Sequence, residues 1–191
     1  MTLTLRIEGF SDGAAIPERF ANCAKDGSGG VKPGGNLNPA ITWENAPFDT
    51  QSFALVVVDR DVPADFGPAN QPGQVIAAEA PRRSFYHWLV VDIPPAIARI
   101  EPGETPPGQI GRNSFGAHAR GVNGYDGPCP PFNDERLHTY RFMVYALDVT
   151  TLDLPDGYSG EQAEKAIAGH VLAEAEATGL YTTNPDLSVG A

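Results

Sequence analysis

The sequence is short of cysteine, of basic residues and of long apolar runs, and each shortage narrows what the protein can be. Its 191 residues include two cysteines, Cys23 and Cys129, too few for a disulfide-scaffolded mini-domain or a thiolate zinc site. They are read as two reduced, partly buried thiols, because a disulfide would require an oxidising compartment or a redox role. Thirteen Lys and Arg stand against 24 Asp and Glu, a net charge of −11. That balance argues against a sequence-independent nucleic-acid binder, which needs clustered cations on phosphates. It also argues against polybasic adhesion to a membrane. A local pocket for one anion remains compatible with it. No apolar run reaches the roughly 20 residues of a transmembrane helix. The N-terminus alternates Leu3, Leu5 and Ile7 with Thr2, Thr4 and Arg6, unlike a signal peptide, so a cytoplasmic location is expected.

Turn chemistry is abundant. Twenty-one glycines and 18 prolines make 39 residues, about a fifth of the chain, below the roughly 25–30% of low-complexity sequence. A globular, mainly β chain is expected, a single domain over residues 1–191. Phe53–Val58 is a continuous β-branched run, read as a strand buried on both faces and ended by Asp59-Arg-Asp-Val-Pro63, since proline cannot continue the ladder. Ser84–Val91 and Thr139–Leu147 are the other strong strands, the latter with Tyr140, Phe142, Val144 and Ala146 on one face. A loop excursion occupies about 64–86, long enough to carry a function such as covering a pocket or forming a dimer surface. Ser159 and Gln162 have capping-box spacing, and Ala163, Ala166, Ile167, His170, Val171 and Glu174 recur at helical spacing, which predicts a helix near 160–178. The tail from Thr183 is expected to fray.

The informative polar residues lie in or beside buried strands. Asp59 and Asp61 end the first. His87 lies in the second and is expected to share a face with Phe85, Leu89 and Val91. His138 and Tyr140 open the third. If these strands are neighbours, a carboxylate, two imidazoles and a phenol converge. Asp59 could then bond His87 and fix its tautomer, with His138 and Tyr140 adding donors toward an anion. Alternatively, Asp59, His87 and His138 form a two-His-one-carboxylate metal site, or a histidine acts as a general base. Each residue taken alone also has a purely structural reading, as a turn cap or a satisfied core histidine. Gly124-Tyr-Asp-Gly-Pro-Cys-Pro-Pro131 reads as a rigid loop wall.

Several segments, in order, resemble one family. They are Ile16-Pro-Glu-Arg-Phe-Ala-Asn-Cys23, Asn36-Leu-Asn-Pro with Trp43, Ser52–Pro63 with its Asp-Arg-Asp-Val-Pro, Tyr86-His-Trp-Leu-Val90, Gly124–Pro131, His138-Thr-Tyr140 and Gly169–Ala175. Together they are similar to the phosphatidylethanolamine-binding, or Raf kinase inhibitor-like, proteins in their bacterial and archaeal branch. The resemblance implies a β-sandwich of antiparallel sheets with peripheral helices and a pocket for phosphate-like head groups. Carried over, that pocket is Asp59, His87, Gly127, Pro128, His138 and Tyr140, with Asp61 supporting the loop. Arg60 and Thr139 depart from the family's usual Pro and Arg. The expected function is a small-anion binding module that regulates or inhibits a partner such as a kinase or protease. No cofactor, metal or catalytic residue is assigned, and a homodimer is one expected assembly. The alternative is a metal-assisted or acid–base hydrolase using Asp59, His87 and His138.

Overall fold

The two longest apolar runs form the centre of the largest sheet. In the computed structural model, which describes residues 2–121 and 123–190, the strands are β1 (Thr4–Ile7), β2 (Ala14–Ala15), β3 (Cys23–Lys25), β4 (Val31–Pro33), β5 (Ile41–Glu44), β6 (Ser52–Pro63), β7 (Arg82–Ile93), β8 (Arg99–Ile100), β9 (Gln109–Ile110), β10 (His138–Leu147) and β11 (Val171–Tyr181). One α-helix among the described residues, α1 (Gly160–Ile167), precedes β11. Six strands pair in the order β2-β11-β10-β6-β7-β9, three in the order β1-β5-β8, and β3 pairs with β4. Among the named strands of the described residues every pairing is antiparallel except the short parallel contact of β2 with β11, so the larger sheet is mixed rather than purely antiparallel.

The mainly β expectation holds, and the pleat explains where the core sits. Along β6, Phe53, Leu55 and Val57 face one side and Ala54, Val56 and Val58 the other. Alternate side chains of a strand point to opposite faces. The first face, with Trp88, Phe142 and Val144, packs against Ile7, Ile41, Trp43 and Ile100 of the three-stranded sheet. The second face, with Tyr86, Leu89 and Leu147, is covered by Tyr158 and by Ala163 and Ile167 of α1. Apolar surface is thus removed from water on both sides of β6, as its unbroken hydrophobic run requires.

Several boundaries differ from the sequence reading. The helix does not run over 160–178. Ser159 and Gln162 do form a capping box, but α1 stops at Ile167 and residues 171–181 are strand. The reason is periodicity. Ala173, Ala175 and Ala177 pack toward the core between Glu174 and Glu176, an alternation of period two written in helix-forming residues. Strand β6 continues through Pro63, with a register shift between Asp59 and Val62. Proline is tolerated at such a bulge. The excursion is shorter than 64–86, because residues 82–86 belong to β7 and only 64–81 connect the strands. The tail is also anchored: Thr183 Oγ1 donates to the Pro130 carbonyl and Asn184 Nδ2 to that of Asp134.

The cysteines are not free thiols. Cys23 and Cys129 form a disulfide across 106 residues of sequence. It ties β3 to the 124–131 loop, beside backbone bonds from the Asn22 and Cys23 amides to the Pro128 carbonyl. Sequence spacing carried no signal for a pairing this distant.

Candidate functional site

The strand order makes β10, β6 and β7 successive neighbours, and register then sets the site. Tyr140 on β10 is paired with Asp59 on β6, which is paired with Phe85 on β7. His87 joins them through a fault in the pleat. Val57 pairs with Trp88 and Val58 with Tyr86, so His87 is the extra residue of a β-bulge, which re-aims a side chain. Phe85, His87 and Tyr140 therefore lie on one side, with ring centroids 5.2 Å (Phe85–His87) and 5.1 Å (His87–Tyr140) apart. Leu89 and Val91 belong to the opposite core, which corrects the expectation that they share the face of His87.

Asp59, His87 and Tyr140 line a cavity of about 30 Å³, walled by Val62, Phe85, Phe115 and the Cys129–Pro131 run. Phe66, from the 64–81 loop, completes the lining and is 43% exposed. It is the one lining side chain that faces solvent to that degree.

The hydrogen bonds do not follow the Asp59–His87 pairing expected from the sequence. Asp59 Oδ2 lies 2.6 Å from His138 Nδ1, and its Oδ1 accepts the Asp61 amide at 2.7 Å. The other nitrogen of His138, Nε2, lies 3.1 Å from Asp134 Oδ2. His138 is fully buried between two carboxylates. Burial alone would depress its pKa, but the hydrogen bonds to Asp134 and Asp59 outweigh burial and hold it up at about 9. Both nitrogens then carry protons and donate. Asp134 is itself lowered despite burial, because His138 and Arg82 both donate to it. Arg82 Nη1 reaches Asp134 Oδ2 at 2.6 Å and the Asp61 carbonyl at 2.8 Å, and its Nη2 bonds the Ala77 carbonyl. The row Asp59–His138–Asp134–Arg82 therefore alternates in charge from the cavity to the 64–81 loop.

His87 is the opposite case. Its Nδ1 is 2.7 Å from the Asp126 carbonyl, which can only accept, so Nδ1 carries the proton. Its Nε2 is buried with no partner. Burial pulls its pKa below the ordinary histidine value, opposed in part by the charge of Asp59. The neutral ring thus presents a lone pair at Nε2. Tyr140 is pushed well up by burial and by the neighbouring Asp59, so its hydroxyl stays protonated.

Of the residues anticipated for the site, Asp59, His87 and Tyr140 meet at the cavity. His138 spends both ring nitrogens on carboxylates and positions Asp59 instead. That leaves no lone pair on it for the three-ligand metal reading, and the described residues contain no cluster arranged to hold a metal. Asp61 accepts the Thr139 amide and the Arg136 guanidinium. Gly127 and Pro128 do not line the cavity. The Gly127 amide donates to Asn36 Oδ1, and a side chain there would collide with the Phe20 carbonyl. The two residues seat the wall on the 20–23 segment while Cys129–Pro131 form it.

The sequence reading missed Asp134 and Asp126. The Asp126 carboxylate, wholly buried, accepts from Asn36, Asn113 and the Arg120 and Gly121 amides, while its carbonyl fixes the His87 tautomer. Both aspartates lie in loops whose composition reads only as turns. Their signal is burial, which a single sequence does not display.

Comparison with known proteins covers nearly the whole chain. Residues 6–182 match the family model described as phosphatidylethanolamine-binding protein. A UPF0098 protein of Methanothermobacter thermautotrophicus is 33% identical over 180 residues, covering 94% of this chain and 98% of its own. One from Aquifex aeolicus is 33% identical over 184 residues, covering 94% and 96%. Among solved structures, a Chlamydia trachomatis homologue of the same description superposes with TM-score 0.70 at 28% identity, over 94% of this chain and 97% of its own. Escherichia coli YbcL, titled a member of the mammalian family, gives 0.72 at 26%, over 95% and 99%. Among the described residues no helix is long and apolar enough to cross a membrane.

Proposed function

The chain belongs to the phosphatidylethanolamine-binding protein family, and on that premise we propose that it is a binding protein for a small anion, which it takes up together with a proton. The observation that carries this reading is the unpartnered, buried Nε2 of His87 at a cavity that also presents Asp59 and Tyr140. Among the described residues no cationic side chain lines that cavity. An anion needs donors there, and a buried acceptor left alone is costly. Protonation of His87 at Nε2 supplies both: it converts the lone pair to a donor facing the ligand, with Asp59 offsetting the new charge. Tyr140 offers its hydroxyl as a second donor. In this reading the free Nε2 of His87 takes a proton and becomes a donor to the anion, so the site is read as binding rather than hydrolytic.

Calorimetric titration with sulfate, which has no proton of its own to contribute near neutrality, tests this directly. In two buffers of different ionisation enthalpy at pH 7, binding should take up about one proton per anion, and His87→Ala should abolish both binding and uptake. Sulfate binding with no proton uptake, or undiminished in His87→Ala, would refute the proposal.

A further inference from the structure

Phe66 has an unusual position for a large apolar side chain. Its ring lines the cavity, yet it is 43% exposed. It makes no ring pair with Phe85 or Phe115, which pack edge to face at 4.9 Å. Its aromatic-face contact is with the Arg83 guanidinium, 4.9 Å from the ring centroid. The segment that carries it is held by local bonds alone. From Pro68 onward the loop is held by Asn133, which bonds the Pro68 and Gln74 carbonyls and the Asn70 amide. Ile76 adds backbone bonds to Asn133 and Glu135. Ala64 is held by the Pro81 carbonyl. Between these anchors, the bonds of residues 65–67 are local: Gly67 to Asp65, and Ala69 to the Phe66 carbonyl. Phe66 can therefore leave without unfolding the loop.

With Phe66 in place, the space of about 30 Å³ is too small for an aromatic ring, which needs a cavity on the order of 150 Å³. The vacated volume would be walled by Phe85, Phe115, Val62 and Pro131, with the polar end at His87. Such a slot suits a flat apolar group joined to an acidic head. We propose that Phe66 is an internal occupant of a second subsite, and that the preferred ligand is an aryl-bearing acid whose ring replaces that of Phe66. This rests on the anion reading of the same cavity and goes further in naming the ligand's other half.

Phenyl phosphate and inorganic phosphate are the probes, titrated against wild type, Phe66→Ala and Phe66→Trp. The exposed position of Phe66 leaves folding unaffected, which unfolding curves check. A built-in occupant reduces apparent affinity by the fraction of molecules in which it is displaced, so Phe66→Ala should raise the preference for phenyl phosphate over phosphate about tenfold. The indole introduced by Phe66→Trp should red-shift in emission on adding phenyl phosphate, as it is expelled to water, and not on adding phosphate. An unchanged preference in Phe66→Ala, or no emission shift with bound phenyl phosphate, overturns the subsite while leaving the anion reading intact. Failure of both ligands to bind any of the three proteins defeats the anion reading and this inference together.

Discussion

Raising the pH from 6.5 to 9.5 should destabilise this protein through one buried imidazole. His138 has its folded pKa at about 9 against an ordinary value of 6.5. A raised folded pKa means that the native state binds the proton more tightly than the unfolded chain. The stabilisation is therefore complete below 6.5 and is lost as pH climbs through 9. Each pKa unit is worth about 1.4 kcal/mol, so the interval of 2.5 units bounds the loss at about 3 kcal/mol. His138 is fully buried, so solvent screening removes little of this. His87 acts with the opposite sign: its folded pKa is lowered, so stability also falls as pH drops below the ordinary histidine value. The two imidazoles together place a maximum near pH 6.5. Urea unfolding at half-unit intervals from pH 5.5 to 9.5 measures the curve. Asp134→Asn, which removes one of the two carboxylates on His138, should shift the alkaline limb to lower pH. A flat free energy of unfolding between pH 6.5 and 9, or a ring titration of His138 by NMR near 6.5, would refute the reasoning.

Two further perturbations address the wall of the cavity. Gly127→Ala places a methyl group against the Phe20 carbonyl with no flexible side chain to yield, and should cost about 2–4 kcal/mol in urea unfolding; a loss under 0.5 kcal/mol would show that the 20–23 segment relaxes. Reducing the Cys23–Cys129 bond, which closes a span of 106 residues, should lower stability by about 3–5 kcal/mol on the chain-entropy account. Thermal unfolding with and without a dithiol, with Cys23→Ser/Cys129→Ser as the reference, checks this, and an unchanged transition would mean that the Asn22 and Cys23 amide bonds to Pro128 suffice.

What the sequence made legible was what short-range pattern encodes. The β-branched run of β6 announced a strand with two buried faces, and Ser159 with Gln162 marked the start of α1. Asp59, His87 and Tyr140 were visible because polar groups in buried strands are costly unless used. The errors have a common cause. Residues 172–177 alternate alanine with larger residues, and helix propensity obscured the period of two. Whether Asp59 meets His87 or His138 depends on cross-strand register and on one bulge, which no local pattern specifies. The disulfide and the buried Asp126 and Asp134 are long-range facts, set by how loops fold back on the sheet.

The bulge at His87 also says how the proposed site comes to hold an imidazole. In a regular pleat Tyr86 and Trp88 would share one face and His87 the other, so one of the two cores would lose its aromatic anchor. The additional residue lets both rings keep their cores while a third side chain turns toward the cavity. The imidazole is thus aimed at the cavity by a count of residues rather than by a loop. Shortening β7 by a single position at this point would restore the regular ladder between Val57 and Val58 and take the imidazole out of the cavity.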